Sequence, residues 1–312
     1  MAFHDLVFGI IFFIQTGVGV LGNFFLLCLY AITFLTGHRL KPIDSILVHL
    51  ALSNSIVLII KGIPQTMLAL GLKNFLDNFA CKFIIYIHRV ARSLSLTFTC
   101  LLSVFQVITI SSFTWFKLSG LKNKLPKNIV TFCLFSWILC LLMNIYMFEN
   151  IQNFRENSNN TRIWHMGFCL GFTSGSFKAL LLVITFSIPD FLCVGCMVMA
   201  SGYLVLFLHR HHQVVQHIHS SSFIPRTSPE TRATHTILVL VSTYVSFNSI
   251  NSIMAIYLFQ FEKYHLWLMP TSAFLAACFP AISPFVLIPH DSRILHLYYS
   301  TLGKDKLPKS SS

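Results

Sequence analysis

The run LVFGIIFFIQTGVGVLGNFFLLCLYAITFL, from Leu6 to Leu35, contains no Asp, Glu, Lys or Arg and decides the solvent in which this chain folds. A helix of roughly 20 mostly apolar residues crosses the bilayer's hydrocarbon core, and this run exceeds that length. Backbone amides in lipid find no water, so a spanning segment must satisfy its hydrogen bonds internally, as a helix. Six further stretches share this character. They cover residues 43–72 with one lysine and, at its very start, Asp44, 83–115 with two arginines near the start, 128–148, 179–208 with a single aspartate, 233–261 and 264–289. All are too long and continuous for barrel strands.

Composition agrees with this reading. The chain is 55% hydrophobic and 10% charged, with a mean hydropathy of +0.71. A soluble domain carries about a quarter charged residues, so lipid must solvate much of this surface. The net charge of +12 raises nucleic acid as a partner. The basic residues, however, lie mostly between apolar runs rather than on one amphipathic face, which argues against it. The expected fold is all-α: one seven-transmembrane helix bundle over residues 1–312, with a tail at 290–312. No loop is long enough to bury a core of its own.

Seven spans put the two termini on opposite sides of the membrane, and loop charge sets which is which. With the N-terminus outside, the inner loops carry Arg39 and Lys41; Lys117, Lys122, Lys124 and Lys127; and Arg210, Arg226 and Arg232. The inner tail adds Arg293, Lys304, Lys306 and Lys309. On the other side, Asp77, Glu149, Glu156 and Glu262 offset Lys73, Lys82, Arg155, Arg162, Lys178 and Lys263. The N-terminus is therefore expected outside and the tail in the cytoplasm. The opening Met1-Ala2-Phe3-His4-Asp5 lacks a basic n-region and leads into a span-length run, so the first helix is expected to be an uncleaved anchor.

Seven of the nine cysteines (Cys28, Cys100, Cys133, Cys140, Cys193, Cys196 and Cys278) fall within apolar helices, where thiols behave as small hydrophobes. Cys81 at the outer start of helix three and Cys169 in the next outer loop remain. Both would face the oxidising side, and a bond between them would staple that loop to helix three. The same loop holds Asn159-Asn160-Thr161, an N-glycosylation acceptor at Asn159. Its position agrees with the orientation given by charge.

A cysteine opening helix three and another in the following outer loop look like a G-protein-coupled receptor. Gly22-Asn23, Trp137, Pro189 and Pro284 fit that superfamily. Its usual switches are absent. The charged triplet ending helix three reads Phe105-Gln106-Val107, the helix-two acid is Asn54, and the helix-seven motif reads Ser283-Pro284-Phe285-Val286-Leu287. More specific strings are KPIDSILVHLALSNSIVLIIKGIPQTM at 41–67, CKFIIYIHRVAR at 81–92 and CLLSVFQ at 100–106. LHRHHQVVQHIHS at 208–220 and SPETRATHTILVLVSTYV at 228–245 complete the set. Together, along essentially the whole chain, they resemble vomeronasal type 1 receptors. The bitter-taste receptors share the weak switches and stand as the alternative. The resemblance implies a chemosensory receptor in the plasma membrane, binding a small pheromone-like or odorant ligand from outside and activating a Gi/Go-type heterotrimer. It implies no cofactor.

Ionisable residues inside a membrane are costly and point to function. Lys61, Arg89, Arg92 and Asp190 are such residues, with His88 beside the arginines. Arg89 lies eight residues past Cys81, roughly 12 Å deep at the helical rise, and Arg92 follows one turn on. Lys61, Arg89 and Arg92 are expected to line an electropositive pocket, with Gln65 and Phe75 nearer its mouth. An arginine fork holds a sulfate or carboxylate bidentately, and apolar walls take a steroid-sized or volatile body. The plainer alternative pairs Asp190 with one arginine and lets the other cations snorkel.

Pro189 beside Asp190 reads equally as a hinge or as a packing kink. Asn23, Asn54 and Ser283-Pro284 are expected to form a polar cluster between helices one, two and seven, as glue or as a relay. At the inner face, Gln106, Lys117, Lys122, Lys124, Arg210 and Arg232 mark where a G protein would dock by analogy. The histidines at 209, 211, 212, 217 and 219 lack a completing cysteine or acid, so a polar helix extension is expected there rather than a metal site. Ser292 to Leu302 reads as an amphipathic segment lying on the bilayer. No span carries an enzyme signature, and an odd helix count sits badly with the inverted repeats of a transporter.

Overall fold

The computed structural model describes residues 3–37, 41–72, 76–111, 119–150, 161–165, 170–174, 176–218, 229–260 and 268–290. Seven helices account for nearly all of them: α1 (Phe3–Leu35), α2 (Pro42–Ala69), α3 (Asn78–Ser111), α4 (Ser119–Asn150), α5 (Ser176–Ile218), α6 (Pro229–Gln260) and α7 (Leu268–Leu287). All seven are long and apolar enough to cross a membrane. The chain is a multi-pass membrane protein built as a seven-helix bundle. A hairpin of β1 (Thr161–His165) and β2 (Leu170–Ser174) joins α4 to α5, pairing antiparallel from Thr161 with Ser174 to His165 with Leu170. A short 3-10 turn, Ile288–His290, follows α7. Phe75, Lys117, Asn159, Cys169, Arg226, His219 and the segment 292–302 lie outside the described residues.

Several helices depart from the bounds that hydropathy suggests. α5 continues to Ile218 instead of ending at 208, and α4 begins at Ser119 instead of 128. Hydropathy marks where lipid ends, whereas a helix continues into water as long as its residues tolerate helical backbone. Lys122 and Lys124 therefore lie on the first turns of α4 rather than in a loop, and His209 to His217 extend α5. In contrast, α2 stops at Ala69, short of Leu72. Gly71 adopts φ +88°, and the amides of Gly71 and Leu72 bond back to Leu68 O and Met67 O. That left-handed closure satisfies two of the last carbonyls and favours glycine. At the other end of α2, Pro42 occupies the first turn and Asp44 Oδ2 accepts the Lys41 amide at 2.7 Å.

α1, α2 and α7 form a tight seam because glycine lets their backbones approach. A Cβ at Gly22 would lie 2.9 Å from Pro284 Cγ, one at Gly19 would lie 2.9 Å from Ala281 Cα, and one at Gly62 would collide with Thr16. Proline then creates the polar chemistry of the seam. Pro284 cannot donate to the carbonyl of Pro280 one turn back. Asn23 Nδ2 supplies the missing donor at 2.9 Å. Gln15 Nε2 similarly bonds Phe274 O at 3.1 Å, a second polar tie between α1 and α7.

α3 is the central post and packs against α2, α4, α5 and α6. Leu94, Phe98 and Leu102 on it are fully buried. Around it the outer faces of α1, α4 and α5 present Phe13, Phe24, Phe135, Phe191 and Met199 outward, the expected face toward lipid. Beside α3, Trp137 of α4 donates to His49 Nδ1 of α2 at 3.2 Å, and His49 stacks on Phe98.

Candidate ligand pocket within the helix bundle

The pocket begins on α3. Asp77 caps the helix, its Oδ1 accepting the Ala80 amide at 2.8 Å, and Cys81 in the first turn is disulfide-bonded. Two turns further, His88, Arg89 and Arg92 turn inward, each only partly exposed. Lys61, from α2, lies within electrostatic reach of Arg92 and His88, and Arg89 within reach of Arg92 and of Asp190 of α5. The sequence-predicted cations and the one aspartate thus converge. Gln65, one turn from Lys61 on α2, is buried.

Between α2, α3, α6 and α7, His88 and Arg92 of this group meet a cavity of about 30 Å³, which Lys61, Gln65, Arg89 and Asp190 do not line. Val57, His88, Arg92 and Ser95 line one side. Tyr244, Phe247, Asn248 and Asn251 of α6 line the other, and Leu275, Ala276, Phe279 and Pro280 of α7 complete it. Arg92 Nη2 donates to Asn248 Oδ1 at 2.8 Å, and Ser272 donates to Asn251 Oδ1 at 3.0 Å. Among the described residues, neither Arg92 nor Lys61 has a carboxylate within ion-pair distance. Asp190 lies in electrostatic reach of Arg89, while Arg92 bonds the neutral Asn248. Tyr244 meets Phe279 edge-on, ring centroids 4.7 Å apart, which fixes the apolar floor.

The cavity also touches the seam. Ser95 lines it and donates to Asn54 Oδ1 at 2.6 Å. Asn54 Nδ2 donates in turn to Ser283 Oγ at 2.8 Å. The polar cluster read from Asn23, Asn54 and Ser283 therefore includes a fourth helix, α3. Both ends of the Asn54 amide are satisfied, so this side chain is fixed between α2, α3 and α7.

At the opposite end of the bundle the contacts are neutral or peripheral. Gln106 is 5% exposed and donates through Nε2 to Thr234 Oγ1 at 3.2 Å, tying α3 to α6. In this conformation it faces α6 and not a docking surface. Arg232 is exposed and bonds Pro289 O at 2.6 Å, holding the start of α6 to the turn after α7. Arg210 is exposed on the extension of α5.

Sequence reasoning missed the α6 wall. Tyr244, Asn248 and Asn251 fall at helical spacing on one stripe, and two asparagines inside a span are themselves a signal. Neutral amides also serve as ordinary glue between helices, which is why they stood out less than the charges.

The family model for the vomeronasal organ pheromone receptor family matches residues 6–300. Human vomeronasal type-1 receptor 1 is 45% identical over 296 residues, covering 94% of this chain and 83% of that protein. Human vomeronasal type-1 receptor 3 is 43% identical over 311 residues and 99% of each chain. Olfactory receptor class A-like protein 1 of Danio rerio is 33% identical over 92% of this chain and 90% of that protein.

Proposed function

Because the chain belongs to the vomeronasal organ pheromone receptor family, a chemosensory class of G-protein-coupled receptor, we propose that it detects small organic anions entering from the extracellular side and activates a Gi/Go-type heterotrimer. One observation carries the ligand class. Arg92 lines the cavity, Lys61 and Arg89 lie within electrostatic reach of it, and Asp190 is the one acid in reach of Arg89 among the described residues. A buried cation without a counter-charge is costly, and a ligand carboxylate or sulfate supplies one. Arg92 keeps four of its five N–H donors beyond the bond to Asn248. His88 and Tyr244 add polar contacts, while Phe247, Leu275 and Phe279 offer an apolar wall for a steroid-sized or volatile body.

The cavity is smaller than such a body, so binding requires α6 to move away from α3 and α7. That movement links the pocket to the opposite end, where Gln106–Thr234 and Arg232–Pro289 hold α6 in place. Release of α6 exposes Gln106 at the inner end of the bundle, where Arg210 and Arg232 are exposed, and this surface is the one proposed for the G protein. The basic residues Lys117, Lys122 and Lys124 of the second inner loop region are further candidates. The N-terminus and the Asn159 sequon are placed outside by loop charge. A Cys81–Cys169 bridge anchors the hairpin loop to α3.

The test is a receptor-dependent signalling assay in transfected cells against three panels: sulfate esters, carboxylic acids and neutral volatiles. The proposal expects responses concentrated in the first two panels, abolished by pertussis toxin. Responses confined to neutral volatiles overturn the ligand class, and toxin-resistant responses overturn the coupling.

A further inference from the structure

We infer that Asn248 is the receptor's built-in occupant of the Arg92 guanidinium: their bond holds α6 against α3 in the ligand-free state and must open before α6 can move. The charge of the ligand that replaces Asn248 rests on the proposed function; the tie itself does not.

Arg92 Nη2 donates to Asn248 Oδ1 at 2.8 Å across 156 positions of sequence, and both side chains are partly buried and line the cavity. A hydrogen bond of this length no longer exists once donor and acceptor lie beyond about 3.5 Å, so roughly 1 Å of travel by α6 away from α3 opens it. The contact is therefore sensitive to the one movement that ligand entry requires.

Its place along the helices gives that movement a reach. Gln106 Nε2 bonds Thr234 Oγ1 at 3.2 Å, a second tie between α3 and α6 at the inner end of the bundle. Fourteen residues separate Arg92 from Gln106 along α3, and fourteen separate Thr234 from Asn248 along α6, about 21 Å of each helix. Fourteen residues come close to four full turns, so each helix presents both of its partners on nearly one face. α6 is thus pinned to α3 at two matched points, one in the pocket and one at the inner face. Opening the first leaves the neutral inner tie and the apolar packing to hold the helix.

The chemistry of the pair sets when it opens. Asn248 offers a neutral carbonyl oxygen, and among the described residues Arg92 has no carboxylate within ion-pair distance. Opening with nothing in place of Asn248 strands a charged donor inside the bundle, which is costly, so the empty receptor rests closed. A carboxylate or sulfate makes a charge-assisted contact with the guanidinium, about twice as strong as a neutral one. Such a group gains Arg92 only where Asn248 has let go. A ligand that prefers one of two states shifts the population toward it. Asn248 is in this sense a competitor inside the protein, and it sets the threshold that an anionic ligand must exceed.

The experiment uses the full-length receptor without agonist. Ligand-independent G-protein activation is read across all Gα classes in cells at matched surface expression, and Tm is read in lipid nanodiscs. Asn248→Leu keeps the approximate side-chain size and removes the acceptor, whereas Asn248→Asp places a fixed anion on the guanidinium. Asn248→Leu is expected to raise basal activation about tenfold, the value of one hydrogen bond to a charged group. Asn248→Asp is expected to lower basal activation and to raise Tm by several degrees. In an Arg92→Gln background the same aspartate should lower Tm, because the acid then has no partner there. Basal activation of Asn248→Leu at or below that of wild type overturns the tie. So does an Asn248→Asp receptor that activates as the leucine variant does, or whose Tm falls while Arg92 is present. If Asn248→Leu does not reach the surface, the sign of the Tm change in Asn248→Asp, with and without Arg92, decides the matter. No ligand enters these measurements, so a screen that finds no anionic agonist overturns the ligand class and leaves the tie standing, while failure of the tie leaves the ligand class to its own screen.

Discussion

The two sides of this bundle solve the problem of polar groups in lipid in opposite ways. Along the α1–α2–α7 seam, the amide donors answer specific needs: Asn23 Nδ2 bonds the carbonyl that Pro284 leaves open, and Asn54 is bonded at both ends, to Ser95 and Ser283. Glycines 19, 22 and 62 remove the space in which anything could move. Around α3, toward α5 and α6, cations outnumber acids among the described residues, a void opens beside Arg92 and Asn248, and the ties are single contacts such as Arg92–Asn248 and Gln106–Thr234. A rigid half and an adjustable half are what a receptor needs if ligand entry is to shift one set of helices against another.

Filling the seam should give the largest effect. Gly22→Leu places a branched side chain against Pro284, and overpacking of this kind costs about 1–3 kcal/mol or more. Loss of the folded receptor, read as surface expression and as Tm in nanodiscs, is the expected outcome; normal expression would show that α1 and α7 are not locked together. Next comes Asn54→Ala. It leaves Ser95 and Ser283 without their partner, at about 1–3 kcal/mol, so Tm should fall while ligand potency changes little. A potency loss larger than the stability loss would mean that the cluster transmits the signal and does not only brace the seam.

The adjustable half should respond differently. Removing the Gln106–Thr234 tie by Gln106→Ala should alter stability by about 1 kcal/mol and raise ligand-independent signalling, because α6 is then held by fewer contacts. Arg232→Met should have the smallest effect, since an exposed hydrogen bond contributes little. Its direction is informative: higher basal activity marks a latch to Pro289, whereas lower maximal signalling marks a residue the G protein needs.

The same contrast explains what was legible in the sequence. Spans are visible because lipid demands uninterrupted apolar runs, and Leu6–Leu35 shows this without any alignment. The polar seam was visible too, since asparagine within a span is rare enough to notice. Ser95 was not, because a serine in a helix ordinarily bonds its own backbone, as Ser55 does to Ala51. Helix ends in water, at Ser119 and Ile218, carry no hydropathy signal at all. The charged wall of the pocket was legible by its cost in lipid, and the neutral wall on α6 was not. Closeness of Arg92 to Asn248 depends on how α3 and α6 pack, which no local pattern encodes.

The central claim is that uncompensated positive charge on the α3 side selects the ligand. It is tested most directly by comparing one carboxylic-acid agonist with its neutral methyl ester on wild type and on Arg92→Gln. The account predicts that wild type prefers the acid by at least about tenfold, the value of one charge-assisted hydrogen bond, and that the preference collapses in the variant while the ester's potency is retained. An acid and ester of equal potency on wild type, or a preference that survives Arg92→Gln unchanged, would contradict it.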